Sequence, residues 1–483
     1  MEHITIREHQ IPVVKNVDVF IAGGGPAGVG AAIQAARSGA DVLLAERLFC
    51  LGGTMTAGLM SKVAMSACNY GLAHEIITRM DAYQGTHYLD SRPEVPVDPE
   101  TGKIILEQMV IDEEHVDVRY GTVVSGVVTN GREIEAVVLS NLDGEIAVRA
   151  KYYIDCTGDG QMAFLAGAEC MTEQGESYSS SPTLMFRIGN VDLEKMFRYE
   201  EENPELFVRE YNTYKRHLMT GTECRENIRN QIYAHMADFV RLIRLRCSEH
   251  RDEFSEEDEE ILLRRGILFL SQPYPNHVLV NSTTNPAWRG DSNVELSASM
   301  AEMRKHCHLI HRFAKRFIPG FEESFLMDTA SMMGIRESRR IRGEYVLTQE
   351  DIESFKKHDD AVCSNSGGVE IHSGKKNSLL LRELDGVEGY DIPFRALYAK
   401  DFTNLLMAGR CFSATHPALS AARNISYCCA LGQAAGAAAA ELSGSGKKDV
   451  RDVDIRYVQE VCRANLATMD NTEYVKKYFS EET

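Results

Sequence analysis

Residues Val17 to Met60 read VDVFIAGGGPAGVGAAIQAARSGADVLLAERLFCLGGTMTAGLM, and this stretch decides the fold. Val17 to Ala22 is apolar and β-branched, the composition of a buried parallel strand. Gly23, Gly25 and Gly28 follow as G-x-G-x-x-G, and Pro26 to Ser38 is an Ala-rich helix stopped at Gly39. Val42 to Ala45 is a second strand, closed by Glu46 eighteen residues after Gly28. Strand, glycine turn, helix, strand and acid in this order make a dinucleotide site. The glycines let backbone amides approach a pyrophosphate at the helix N-terminus, where the helix dipole favours negative charge. Glu46 stands where a carboxylate accepts hydrogen bonds from an adenosine ribose. A glycine-rich turn that only packs a helix on a sheet would use the same spacing.

Gly52, Gly53 and Thr54 begin six residues after Glu46, where a plain nicotinamide dehydrogenase needs no glycine pair. GGGPAG, the Glu-ended second strand and the later glycine pair resemble the FAD-containing oxidoreductases of the glutathione-reductase-like superfamily. Three further runs narrow the resemblance to the family described as FAD-dependent oxidoreductase. They are YYIDCTGDGQMAFLAGAE from Tyr152, MMGIRESRRIRGEYVLTQEDI from Met332, and the long segment from Ile392 to Leu442. The resemblance implies FAD, held by Gly23, Gly25, Pro26, Ala27 and Gly28, by Glu46 and Arg47, and by Gly52, Gly53 and Thr54. It further implies a backbone contact to adenine near Val124, close approach at Thr157, Gly158 and Asp159, and contacts at Gly409 and Arg410. A helix starting at Ala418, Leu419 and Ser420 would turn its amides toward the flavin. Asp159 is also suited to capping the helix after it, and a strand turning into a capped helix would need the same residues.

With 483 residues the chain exceeds one ordinary core and is expected to hold two domains. The expected fold is α/β. A Rossmann-like FAD-binding domain, a parallel sheet with a β-meander, spans 1–175 and resumes at 391–445. An α+β substrate cap is inserted at 176–390, and a helical tail follows from 446. Val116 to Val148 reads as the meander, with tight turns at Asn130-Gly131 and Asp143-Gly144. Asn293 to Phe317 reads as a helix, Glu249 to Glu260 as a solvated acidic face, and Ala418 to Leu442 as one helix with small residues along one side. Acidic residues outnumber basic ones 71 to 52, a formal charge of −19 that repels nucleic acid and anionic membranes. No apolar run reaches a membrane span. The first sixteen residues lack a signal-peptide core, and twelve Cys show no CxxC, so a cytoplasmic setting is expected. A homo-oligomer is left open.

The chemistry is narrowed by what occupies the motif positions. Disulfide reductases of the resembled superfamily carry Cys after GGT and again five residues on; here those positions are Met55 and Met60. A thioether forms no disulfide. No second G-x-G-x-x-G is present, so an external electron donor or acceptor enters the same pocket or is another protein. Metal is not expected: His306, His308 and His311 lie on a charged helix and are expected to face water. Flavin chemistry needs a substrate C–H or C=C over the ring, a proton carrier and charge neutralisation. His416 is the first acid–base candidate, although a lone histidine also serves as a structural hydrogen-bonder. Arg336 and Arg340 in IRESRR would share a face on a helix and grip a carboxylate, or pair with Glu337 and Glu344. Arg423 is a candidate contact to flavin or substrate, and His74 and His372 are secondary. The expected function is hydride transfer between FAD and a small organic substrate, with an anionic one among the options. The alternatives are an oxygen-using monooxygenase or oxidase, a non-catalytic flavin-binding assembly protein, and a nicotinamide dehydrogenase without flavin.

Overall fold

The computed structural model describes residues 10–64, 71–86, 94–172, 180–207, 226, 235–236, 239–285, 290–372, 379–382 and 389–464. Val13–Ala22 lies between Val42–Ala45 and Gly144–Asp155, parallel to both, with Val116–Arg119 and Leu405–Met407 outside them. Val123–Asn130 and Glu133–Asn141 complete this seven-stranded sheet, running antiparallel beside the first half of Gly144–Asp155. Because the five long-range partners are parallel, the turns after Ala22, Ala45, Asp155 and Met407 all leave from one edge. That edge is where an open parallel sheet binds its ligand.

Two strand expectations change. Val116–Arg119 does not open the meander; it pairs parallel with Val42–Ala45, which its position after a helix makes possible. Gly144–Asp155 is one strand of 12 residues, so the last strand of the meander does not stop at Val148 but runs on into the segment from Tyr152. Its first half carries the meander and its second half belongs to the parallel sheet.

Helix Pro26–Arg37 packs against Ile425–Ser445 with almost nothing between the backbones. A Cβ on Gly432 would stand 1.9 Å from the Ala27 carbonyl oxygen, and one on Gly436 2.3 Å from that of Ala31. The small residues therefore set the helix separation. The expected single helix from Ala418 is two, His416–Ala422 and Ile425–Ser445. Asn424 leaves the helical region (φ −65°, ψ 158°) and becomes the N-cap of the second, a place where asparagine is favoured.

A second core lies around an antiparallel five-stranded sheet, ordered His235–Met236, Phe269–Ser271, His277–Val280, Phe186–Gly189 and Phe325–Thr329. Helix Asn293–Phe317 covers it, burying Met303, Cys307, Ile310 and Phe313 against Phe186, Ile188 and Leu279. This core ends at Met333, whereas Leu347, Ile352, Val362 and Ile392 return to the first core. Among the described residues no helix is long and apolar enough to cross a membrane.

Candidate active site

The carboxyl edge of the parallel sheet opens into a cavity of about 610 Å³. Gly28 explains how the first turn reaches it: a Cβ there would stand 1.7 Å from the Gly23 carbonyl oxygen, so only glycine lets helix and turn close together. A Cβ on Gly25 would meet nothing within 4 Å, because Gly25 faces the open cavity. Gly25 is the N-cap of Pro26–Arg37, and no side chain caps it. The first amides of that helix have no intrahelical acceptor and stand ready for an anion.

Glu46 closes the next strand beside this turn. Its buried carboxylate accepts the Gly24 amide at 2.6 Å and the Leu48 amide at 2.8 Å. A carboxylate offers about four lone-pair sites, so Glu46 keeps acceptor capacity beyond these two amides. Arg47, Gly53, Thr54 and Val124 also line the cavity, whereas Gly52 does not and serves instead as the left-handed residue (φ 93°) before the turn Gly53–Met55.

The turn after Asp155 differs from expectation. Asp159 does not cap the helix Gln161–Ala166. Thr157 Oγ1 accepts the Gln161 amide at 3.0 Å, and the buried Asp155 carboxylate accepts the Thr157 amide at 3.0 Å and the Ala163 amide at 2.9 Å. Asp159 instead accepts Arg410 at 2.7 Å and the Ser338 hydroxyl at 2.6 Å, and Arg410 also donates to Ser338 at 2.8 Å. Burial by itself would raise the Asp159 carboxyl, but Arg410, Ser338 and then Arg47 hold it below its ordinary value. One network thus ties together three motifs that are distant in sequence. Thr157, Gly158, Asp159, Gly409 and Arg410 all line the cavity. An uncapped helix N-terminus, the buried acid Glu46 and an Arg-Asp pair along one cavity fit a dinucleotide such as FAD.

The catalytic candidates separate. Met332 to Arg339 is not helical, so Arg336 and Arg340 do not share a helix face. Arg336 lines the cavity and donates to the Thr183 hydroxyl at 2.8 Å and to the Ser181 carbonyl. Arg340, only 1% exposed, is 3.3 Å from Glu337 and donates to the Ala414 carbonyl at 2.9 Å. The second Glu337 oxygen meets His416 Nδ1. His416 and Arg340 therefore lie behind the cavity wall in a buried Arg-Glu-His group, and Glu344 pairs with Arg451 at 3.6 Å. Arg423 lines the cavity at the helix break. Among the described residues no side chain forms a hydrogen bond or ion pair with its guanidinium, and burial pushes its pKa down despite Glu370 and Glu337 nearby.

Ala418, Leu419 and Ser420 are buried away from the cavity, and Ser420 accepts the Glu370 amide at 3.0 Å. The helix start that faces the cavity is Asn424-Ile425. His74 lies 3.5 Å from the Thr78 hydroxyl, and the His372 side chain lies outside the described residues. His306 is 3% exposed rather than facing water, because it sits on the side of its helix that meets the cap core. Cys156 and Cys428 line the cavity, but burial raises both thiols, Cys428 to about 12, and leaves them protonated.

Sequence reasoning missed Ser338, Arg265, Asn281 and Asn424, and it weighed Glu337 as an arginine partner without its contact to His416. Ser338 lies inside a quoted motif and could have been weighed there. Arg265 follows an acidic helix with no motif around it.

The family model described as FAD dependent oxidoreductase matches residues 18–461. A thiamine thiazole synthase of Methanococcus aeolicus is 32% identical over 149 residues, 29% of this chain and 55% of that protein. The chain thus spans about half the length of that curated relative. Among solved structures, a geranylgeranyl bacteriochlorophyll reductase-like protein of Thermoplasma acidophilum gives a TM-score of 0.46 at 11% identity, over 93% of this chain and 83% of that one. The p-nitrophenol 4-monooxygenase PnpA of Pseudomonas putida gives 0.44 at 11% identity, over 97% and 90%.

Proposed function

The chain belongs to the FAD dependent oxidoreductase family, and from that premise we propose that it moves a hydride between FAD and a small organic substrate held under the cap. The observation that carries this reading is that one cavity reaches from the glycine turn at Gly25 to cap residues Arg265, Leu268 and Asn281. Cofactor and substrate would share one water-limited space. When bound, the flavin supplies two-electron chemistry at its ring.

The protein's part is binding, orientation and charge. Glu46 would hold the adenosine ribose and the first turn of Pro26–Arg37 the pyrophosphate. The N-terminal amides at Asn424-Ile425 bring the positive end of a long helix to the cavity, where negative charge is stabilised. Arg423 adds a full charge beside them, and Arg336 contacts the substrate. His416 is assigned a positioning role with Glu337 and Arg340: it braces the segment carrying Arg336 against helix His416–Ala422. The thioethers at Met55 and Met60 support a reaction without a disulfide relay. Membership of the glutathione-reductase-like superfamily, a cytoplasmic setting and an external electron partner belong to the same proposal. The ten described cysteines are free, which supports a reducing compartment.

Anaerobic mixing of the flavin-loaded protein with candidate donors tests it. Bleaching of the flavin by an organic donor is expected. Substrate-dependent oxygen consumption with incorporation of oxygen into product would replace hydride exchange by monooxygenation.

A further inference from the structure

We propose that Arg265 and Arg336 form an anion subsite on the cap side of the cavity, built to hold a carboxylate of the substrate. This rests on the reading that the cap side receives the substrate, and it deepens that reading.

Two guanidiniums from distant parts of the chain converge on one hydroxyl. Arg265 Nη1 donates to Thr183 Oγ1 at 3.3 Å and to Asn281 Oδ1 at 3.2 Å. Arg336 Nη1 donates to the same Thr183 oxygen at 2.8 Å. Thr183 is 1% exposed and paired through its backbone with Gly334, so this anchor is rigid and joins the cap to the Met332–Arg339 segment. Arg265, Arg336 and Asn281 all line the cavity. Among the described residues the partners of Arg265 are neutral. Two like charges held on one buried oxygen repel, and among the described residues Arg265 uses only Nη1, which leaves its Nε and Nη2 donors to the cavity. An anion between them removes the repulsion and takes up those donors in the planar fork geometry that suits a carboxylate.

The surroundings favour an organic acid over a phosphate ester. Leu268, Leu270, Met333 and Ile335 line the adjoining wall, which suits an apolar body carrying one charged end. The arginine that shares an anchor with Arg336 is Arg265 rather than Arg340.

The test titrates flavin-loaded protein with malonate, succinate, benzoate and inorganic phosphate, following heat release and thermal shift. At least one carboxylate should bind saturably to the wild type. Arg265→Gln should weaken it about tenfold, the loss of one charge-assisted hydrogen bond, while flavin content per chain stays unchanged. Arg265→Lys should recover part of the affinity, and it keeps the charge if Arg265→Gln fails to fold. Equal affinity in wild type and Arg265→Gln overturns the subsite, as does binding of phosphate alone or of none of the four. Saturable carboxylate binding in a protein that no organic donor bleaches would leave the subsite standing and refute hydride transfer.

Discussion

Replacing Gly432 by alanine should wedge apart the two helices that carry the cofactor turn. The new Cβ would stand 1.9 Å from the Ala27 carbonyl oxygen, 2.7 Å from its carbon and 2.9 Å from Ala27 Cα. Ordinary contact begins near 3.4 Å, so the backbones must part by 3.4 − 1.9 = 1.5 Å along that line. Helix pairs pack at interaxial distances of about 8–10 Å, and this seam has no flexible side chain to absorb the change. Gly30 is locked in the same way, its Cβ position lying 2.4 Å from the Cys429 carbonyl. Overpacking costs about 1–3 kcal/mol, and backbone meeting backbone belongs at the upper end. About 3 kcal/mol lowers the folding equilibrium constant roughly a hundredfold. Ala27 and its neighbour Pro26 line the cavity, so FAD affinity should fall as well. Gly444→Ala in the same helix is the control. Its Cβ meets nothing within 4 Å, and removing an exposed helical glycine should stabilise by about 0.5–1 kcal/mol. Urea unfolding of both variants, with and without FAD, reads the two signs. If Gly432→Ala matches the wild type, or moves in the direction of Gly444→Ala, the close-packed seam is refuted.

Glu46→Gln keeps the shape of the acid but removes its charge from two backbone amides and the ribose site; FAD affinity should fall about ten- to a hundredfold, read by fluorescence titration of apoprotein. Asp159 has a folded pKa below the ordinary carboxylate value, so its contribution is fully present above that value and is lost as pH falls through the folded one. The stability difference between wild type and Asp159→Asn should be constant from neutral pH down to about 5 and shrink below about 4; a difference that grows with acid would contradict the pairing with Arg410. His416→Ala leaves Glu337 buried with Arg340 alone, and should destabilise by about 3 kcal/mol while slowing flavin reduction by substrate in protein that still holds FAD. Thermal unfolding and stopped-flow bleaching check this together, and unchanged values in both would remove His416 from the site.

The first strand–turn–helix–strand unit was legible because it depends on chain-local geometry. A β-branched run, glycines two and three residues apart and an acid after the next strand specify the strand–turn–helix–strand unit whatever surrounds it. The helix Asn293–Phe317 was equally readable, since a Ser N-cap and basic residues in the last turn mark its ends locally. The reading lost its hold where a residue's partner is remote. IRESRR carries three arginines that look equivalent in sequence, yet Arg336 enters the cavity and Arg340 is buried on Glu337. Val116–Arg119 alternates like a meander strand, and only its neighbour Val42–Ala45 makes it parallel.

By itself, then, the sequence determined the dinucleotide-binding unit, the family and the small-residue side of the last long helix, because steric demands at single positions allow few alternatives; that this side meets helix Pro26–Arg37 came from the tertiary structure. The tertiary structure decided which charges face the cavity. It placed Arg265 beside Arg336, set His416 behind the wall, and moved the cavity-facing helix start from Ala418 to Asn424. Burial and ion pairing are sums over long-range neighbours, and local spacing carries no information about which neighbours those are.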